Sequence, residues 1–245
     1  MRKTIYLIVM LLTAALAVQA QEQFKPSFSV DMVSHYMHRG QDLGNVSLQP
    51  KLGLQWRGLS ISLEGNTGFT HQDYEEMDII LNYEYKGFKI GLLDEWGEDG
   101  ASTRYFYYGR STNHQFSAHL GYECSHFSID TYTFFAGADY KADGSRAYST
   151  YIEVGVPFRW LDLEWEAKVG FTPYESGGIK TQDPDTTIDF FEYSFADHAA
   201  VNMISLRATK EITVGTYQLP VFIEAHSNPF TQNARIYVGA TLFRL

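Results

Sequence analysis

The chain has 245 residues, with 19 Lys and Arg against 29 Asp and Glu for a formal net charge of -10, and 16% of it is aromatic. So acidic a chain is a poor partner for nucleic acid, whose phosphates call for a basic surface. Cys124 is the single cysteine, which excludes an intrachain disulfide and leaves the fold to pairing and packing alone.

The chain opens on Arg2 and Lys3, an apolar stretch from Ile5 to about Leu16, and Val18-Gln19-Ala20 ahead of the polar Gln21-Glu22-Gln23. A basic start, a short apolar run and small residues before a polar boundary read as a signal peptide over 1–20, too short to span a membrane as a helix. Residues 21–245 then form one domain, and with Arg2 and Lys3 removed 17 basic residues face 29 acidic ones, a net charge near -12. No cysteine stands just after the apolar run, so a lipid anchor is not expected. Later in the chain no 18 consecutive apolar residues occur, and a spanning chain without such a stretch must be a closed barrel.

From Phe28 onward apolar and polar residues alternate in stretches of about ten, the period of strands. Leu59 to Phe69 is apolar or small at odd positions and polar at even ones, and Leu161 to Phe171 carries Asp162, Glu164, Glu166 and Lys168 on one face. Twelve strands are predicted, at about 28–38, 47–57, 59–69, 77–86, 87–96, 104–123, 126–136, 146–157, 159–172, 199–210, 215–227 and 234–244. Short connections at Arg57-Gly58, Lys86-Gly87, Cys124-Ser125, Pro157-Phe158 and Glu211 to Thr216 alternate with long ones at 39–46, 70–76, 97–103, 137–145, 173–198 and 228–233. This is the rhythm of an all-β antiparallel transmembrane barrel, with short periplasmic turns and longer extracellular loops. A separate strand at Tyr105 to Tyr108 would break it. The last strand, Ile236 to Leu245, is expected to close the ring against the first.

A soluble sandwich also alternates, so the charge on the polar face decides. Glu64, Asp78, Glu84, Lys89, Glu95, Glu153, Asp162, Glu164, Glu166, Lys168, Arg207 and Glu224 all fall there, and burying so many ions in a dry core would cost several kcal/mol for each unpaired one. The apolar faces end in two groups of aromatics, Trp56, Tyr83, Tyr85, Phe88, Tyr122, Phe127, Trp160 and Tyr217 by the short turns and Phe69, Trp96, Phe135, Tyr148 and Phe171 by the long loops. Two belts are what two membrane interfaces select.

Ser34-His35-Tyr36-Met37-His38-Arg39-Gly40, Pro50 in a strand, Ser149 to Ile152, Leu219-Pro220-Val221, Asn228-Pro229 and Gly239 in the last strand follow one another in an order that resembles the TorF-like porin family of small bacterial outer-membrane barrels. The resemblance covers about residues 28–245. It implies an outer-membrane barrel acting as a pore and brings no catalytic residues. His38 departs from the pattern, since family members often carry an aromatic or another residue before Arg-Gly.

The inward acids have two readings. They line a pathway that favours cations, or they pair with Lys89, Lys168 and Arg207 and hold the wall together. His119 and His226 point inward, whereas His35, His38, His71, His114, His126 and His198 lie near strand ends or loops, none with metal-ligand spacing. Asp183, Asp185, Asp189, Glu192 and Asp197 lack the glycine and closing glutamate of an EF-hand. Ser117 beside His119 is the one pairing that suggests a hydrolase, without a motif to support it. Tyr105 to Tyr108 fits an outer girdle or a sugar-stacking platform. The expectation is a porin-like channel for passive diffusion of small polar solutes, cationic ones where the inward acids line the path, embedded in outer-membrane lipid, without enzyme activity, cofactor or metal. The alternative is a sealed barrel recognising partners through its long loops.

Overall fold

A computed structural model describes residues 24–70, 73–98, 104–109, 112–182 and 189–245. The predicted signal peptide lies outside them, as do His71, Asp183 and Asp185. Twelve strands close into one antiparallel barrel: β1 (Lys25–Val33), β4 (Ser47–Trp56), β5 (Leu59–Gly68), β6 (Glu75–Tyr85), β7 (Phe88–Glu98), β8 (His114–Glu123), β9 (Ser128–Gly137), β10 (Thr150–Trp160), β11 (Leu163–Thr172), β14 (Ala200–Val214), β15 (Tyr217–Asn228) and β16 (Asn233–Arg244). Two hairpins stand apart from the ring, β2 (Tyr36–His38) with β3 (Gln41–Gly44), and β12 (Gly178–Gln182) with β13 (Asp189–Tyr193). No helix occurs among the described residues.

Closure comes from β1, which pairs with β4 on one side and β16 on the other, Val33 lying opposite Gly239. The ring itself is left without an edge strand that could template aggregation. At the short-turn end, Arg57-Gly58 and Lys86-Gly87 carry positive φ at both residues, the geometry that matches hairpin twist. A Cβ on Gly87 would lie 2.2 Å from the Glu123 carbonyl oxygen, and the Gly87 carbonyl accepts from the Glu123 amide at 2.8 Å. Glycine is therefore required there twice over, by its φ and by the close approach.

Which side of each strand is apolar follows from register and exposure. On β7 and β8, Ile90, Leu92 and Leu120 are 52–59% exposed while their alternates Glu95, Ser117 and His119 are 0–7% exposed. Leu52, Ile61, Leu63, Ile204, Ile223 and Val238 continue the exposed apolar band around the ring. Polar residues are inside and hydrophobes outside, the arrangement an outer-membrane barrel presents to lipid. Phe88 packs on Tyr122 and Trp160 on Trp165 at the short-turn end, while Phe116 meets Phe135 at the other.

Several boundaries differ from expectation; β10 starts at Thr150 rather than at 146, and β14 runs to Val214, so the last short turn lies at Gly215-Thr216 rather than over Glu211 to Thr216. The first strand stops at Val33, and the chain then turns into the barrel. The predicted 104–123 strand contracts to β8, because Tyr105 to Tyr108 form a turn in which Tyr105 packs edge-on against Trp96 and His114. Glu75 and Glu76 extend β6 backwards beyond the predicted start at 77. The turn expected at Pro157-Phe158 lies at Leu161-Asp162, both at positive φ. Pro157 sits inside β10 opposite Glu166. The β9–β10 ladder ends at Gly155–Ser128, so the missing proline N–H falls where β9 offers no partner.

Candidate functional site

The strands place one charged row per level on the lumen wall. Toward the long loops, Glu64 lies opposite Asp78 and Asp78 opposite Glu95. Lower down, Glu84 faces Lys89, and Glu166 lies between Pro157 and Arg207, which faces Glu224. Glu164 lies opposite Arg159 near the short turns. Asp162 does not join this face: it occupies the second position of the β10–β11 turn, so the three successive inward acids expected on one strand reduce to Glu164 and Glu166.

The bases on the wall are paired. Lys89 contacts Glu123 at 2.5 Å and Asp130 at 4.0 Å, Lys168 contacts Glu153 at 3.0 Å and Glu166 at 3.5 Å, and Arg207 contacts Glu224 at 2.6 Å. Lys51 pairs with Glu64. Arg207 also lies 4.1 Å over the Phe222 ring and donates to the Tyr237 hydroxyl at 3.3 Å. Such cross-strand pairs stiffen the wall while leaving it wettable.

The histidines separate by environment. His119 stacks on Tyr132 at 4.6 Å and bonds Asp130 at 2.8 Å. His226 is buried with Glu224 3.7 Å away. His114 faces outward, buried under Tyr105 and Tyr108, with Asp94 at 2.6 Å. The Ser117 hydroxyl donates to Glu95 at 3.0 Å, so the acceptor of its proton is a carboxylate rather than the neighbouring His119.

The feature that sequence reasoning missed is the path of residues 34–46. Expected as the end of the first strand up to residue 38 and a surface loop over 39–46, this segment instead leaves the wall after Val33 and folds into the barrel mouth. Arg39, 8% exposed at its side chain, places its guanidinium 2.8 Å from Glu95 on β7 and 4.1 Å over the Tyr132 ring on β9. His38 lies 3.5 Å from the same carboxylate. The Tyr36 hydroxyl donates to Glu76 on β6; burial, followed by the charge of Glu76, holds this phenol far above its ordinary value and keeps it a donor.

The neighbouring Gly40 packs against the other wall. Its φ is +86, a Cβ there would lie 2.2 Å from the Asn202 carbonyl oxygen on β14, and its own carbonyl accepts from Asn228 Nδ2 on β15 at 3.0 Å. β7 and β14 lie on opposite sides of the ring, so the loop crosses the lumen from wall to wall. Asp42 secures its return through Arg235 at 2.9 Å.

A second segment reinforces the crossing. Phe195, from the connection between β11 and β14, stacks with Phe134 at 6.1 Å and packs on Tyr151 at 5.5 Å. The Ser176 hydroxyl accepts from the Phe195 amide at 3.0 Å. Between the two inward segments lie a cavity of about 370 Å³ lined by Met37, Gln41, Tyr193 and Arg235 among others, and one of about 210 Å³ lined by His38, Glu76, Glu95 and Phe195 among others.

Arg39 was legible only as part of the Ser34 to Gly40 motif, and Glu76 shares the face of Asp78 two residues on. The meeting of His38 with Glu76 and Glu95 has no signal in local spacing. No protein-family model and no curated protein matches the chain.

Proposed function

We propose that the protein is an outer-membrane channel of a Gram-negative bacterium that passes small polar, preferentially cationic solutes and is closed by the inward fold of its first loop. The observation that carries this reading is the wall-to-wall crossing by Arg39 and Gly40. A lumen lined by charge supplies the polar wall that conduction needs, and the crossing loop supplies a way to stop it. The exposed apolar band and the aromatics at both ends support placement in the outer membrane, with the short turns in the periplasm. The resemblance to TorF-like porins supports the same reading.

Acids outnumber bases on the wall. Glu64, Asp78, Glu84, Glu95, Asp130, Glu153, Glu164, Glu166 and Glu224 face Lys51, Lys89, Arg159, Lys168 and Arg207, with Arg39 added by the loop. A low-dielectric wall focuses this excess on the lumen and raises the local cation concentration. Transport by this route is diffusion and needs no cofactor and no catalytic residue.

The test is a reversal potential in a planar bilayer under a salt gradient, on the refolded barrel with residues 36–44 replaced by a short Gly-Ser link. Cation-selective current is expected, weakened by Glu153→Gln with Glu166→Gln. Anion selectivity, or a folded barrel without current, would overturn the reading.

A second reading rests on the cavity of about 370 Å³ between the hairpins. It makes the long-loop face a recognition surface on a sealed barrel, and it is the reading to which a silent loop-shortened barrel would point.

A further inference from the structure

At the point where the first loop meets the wall, three carboxylates and one imidazole converge. One carboxylate oxygen of Glu76, one of Glu95 and a ring nitrogen of His38 all lie within 4.8 Å of one another. Glu76 and Glu95 are 8% and 6% exposed. Asp78 adds an independent sign that something is held here: it is 8% exposed, its Oδ1 is buried without a hydrogen-bond partner, and the charges bearing on it most are Glu76, Glu95 and Arg39. A buried carboxylate with an unpartnered oxygen, set beside two others, is a costly arrangement for a protein to carry.

We propose that His38, Glu76 and Glu95, with Asp78 completing the charge, bind one divalent transition-metal cation that clips the inward loop to the barrel wall. Charge sets the valence. Arg39 already pairs with one of the three carboxylates, and the other two, ionised by a bound metal, would match one divalent ion. Ligand type sets the class of metal, since an imidazole nitrogen with carboxylate oxygens suits zinc or manganese, whereas calcium and magnesium take oxygen alone. Ligands about 2.1 Å from a zinc ion stand about 3.4 Å apart in a tetrahedron, so small rotamer adjustments within the 4.8 Å cluster bring these atoms onto one ion. Glu76 is held by the Tyr36 hydroxyl and Glu95 by Ser117 at 3.0 Å, the outer hydrogen bonds that orient metal-binding carboxylates. His38 comes from the loop while Glu76 and Glu95 come from β6 and β7, so the ion would join the two. The inference concerns binding alone and stands whether or not the barrel conducts.

The test is calorimetric titration of Zn²⁺ into the refolded, chelator-treated full chain, with folding of each variant checked by its heat-modifiable gel mobility. One saturable site per chain is expected, weakened at least about tenfold in His38→Gln and in Glu76→Gln and unchanged in His198→Gln, whose ring pairs with Asp197 on the surface. Mn²⁺ is expected to compete for the same site. Failure of the folded wild type to saturate, or undiminished binding in folded His38→Gln, would overturn the proposal.

Discussion

The Arg39 guanidinium lies 2.8 Å from Oε1 of Glu95, with their side chains 8% and 7% exposed, so a loop residue and a strand residue share a buried ion pair inside the barrel mouth. Breaking such a pair from one side strands a charge in a poorly solvated place and costs about 3–5 kcal/mol. Arg39→Met and Glu95→Gln are each expected to lower the unfolding free energy of the bilayer-inserted barrel by that order, and the double variant by clearly less than their sum. Denaturant titration of the four proteins measures the coupling. Strictly additive losses would show that the pair does not latch the loop.

Lipid-facing and lumen-facing positions should respond unequally to charge. Ile223 is 50% exposed on the outer face of β15, between Ala208 and Val238, and Ile223→Arg is expected to cost about 2–4 kcal/mol if it lies near the bilayer centre. Ser62, on the lumen face beside Glu64 at 3.0 Å, should accept Lys for under about 1 kcal/mol because the new ammonium meets acids and water. Folding equilibria in lipid vesicles compare the two. Equal penalties would mean that the faces have been assigned wrongly.

Cys124 reports the topology. It lies in the short β8–β9 turn, partly exposed, and a membrane-impermeant maleimide is expected to label it only after the outer membrane is permeabilised. Ala142, exposed in the β9–β10 loop at the other end, becomes the reciprocal probe as Ala142→Cys in a Cys124→Ser background, which should label on intact cells. The reverse pattern would place the long loops in the periplasm.

Where local periodicity ruled, the sequence was readable. Leu59 to Gly68 alternates without a break and forms β5 almost as expected, and the Arg57-Gly58 and Lys86-Gly87 turns announce themselves through glycine. Reading failed where a residue had to be judged by its neighbours in space. Pro157 looked like a turn former, but the β9 ladder ends before reaching it; the true turn uses Leu161 and Asp162, neither of which signals positive φ as glycine does. That slip also put Asp162 on the lumen wall.

The inward loop was harder still. Tyr36, His38 and Arg39 find partners 40 to 57 residues away in sequence, distances at which no spacing rule operates. The acids Asp78 and Glu95 were visible as lumen residues, but the cation that answers them, Arg39, comes from a segment that looked like an ordinary surface loop.

The most direct test of the gated channel is single-channel conductance of the wild-type barrel beside the variant in which residues 36–44 are replaced by a short link, under the same salt and voltage. The wild type is expected to be mostly closed, with small or rare openings, and the variant to show steady steps several times larger. Equal conductance in the two, whether both open or both silent, would contradict the claim that the Arg39 loop closes the lumen.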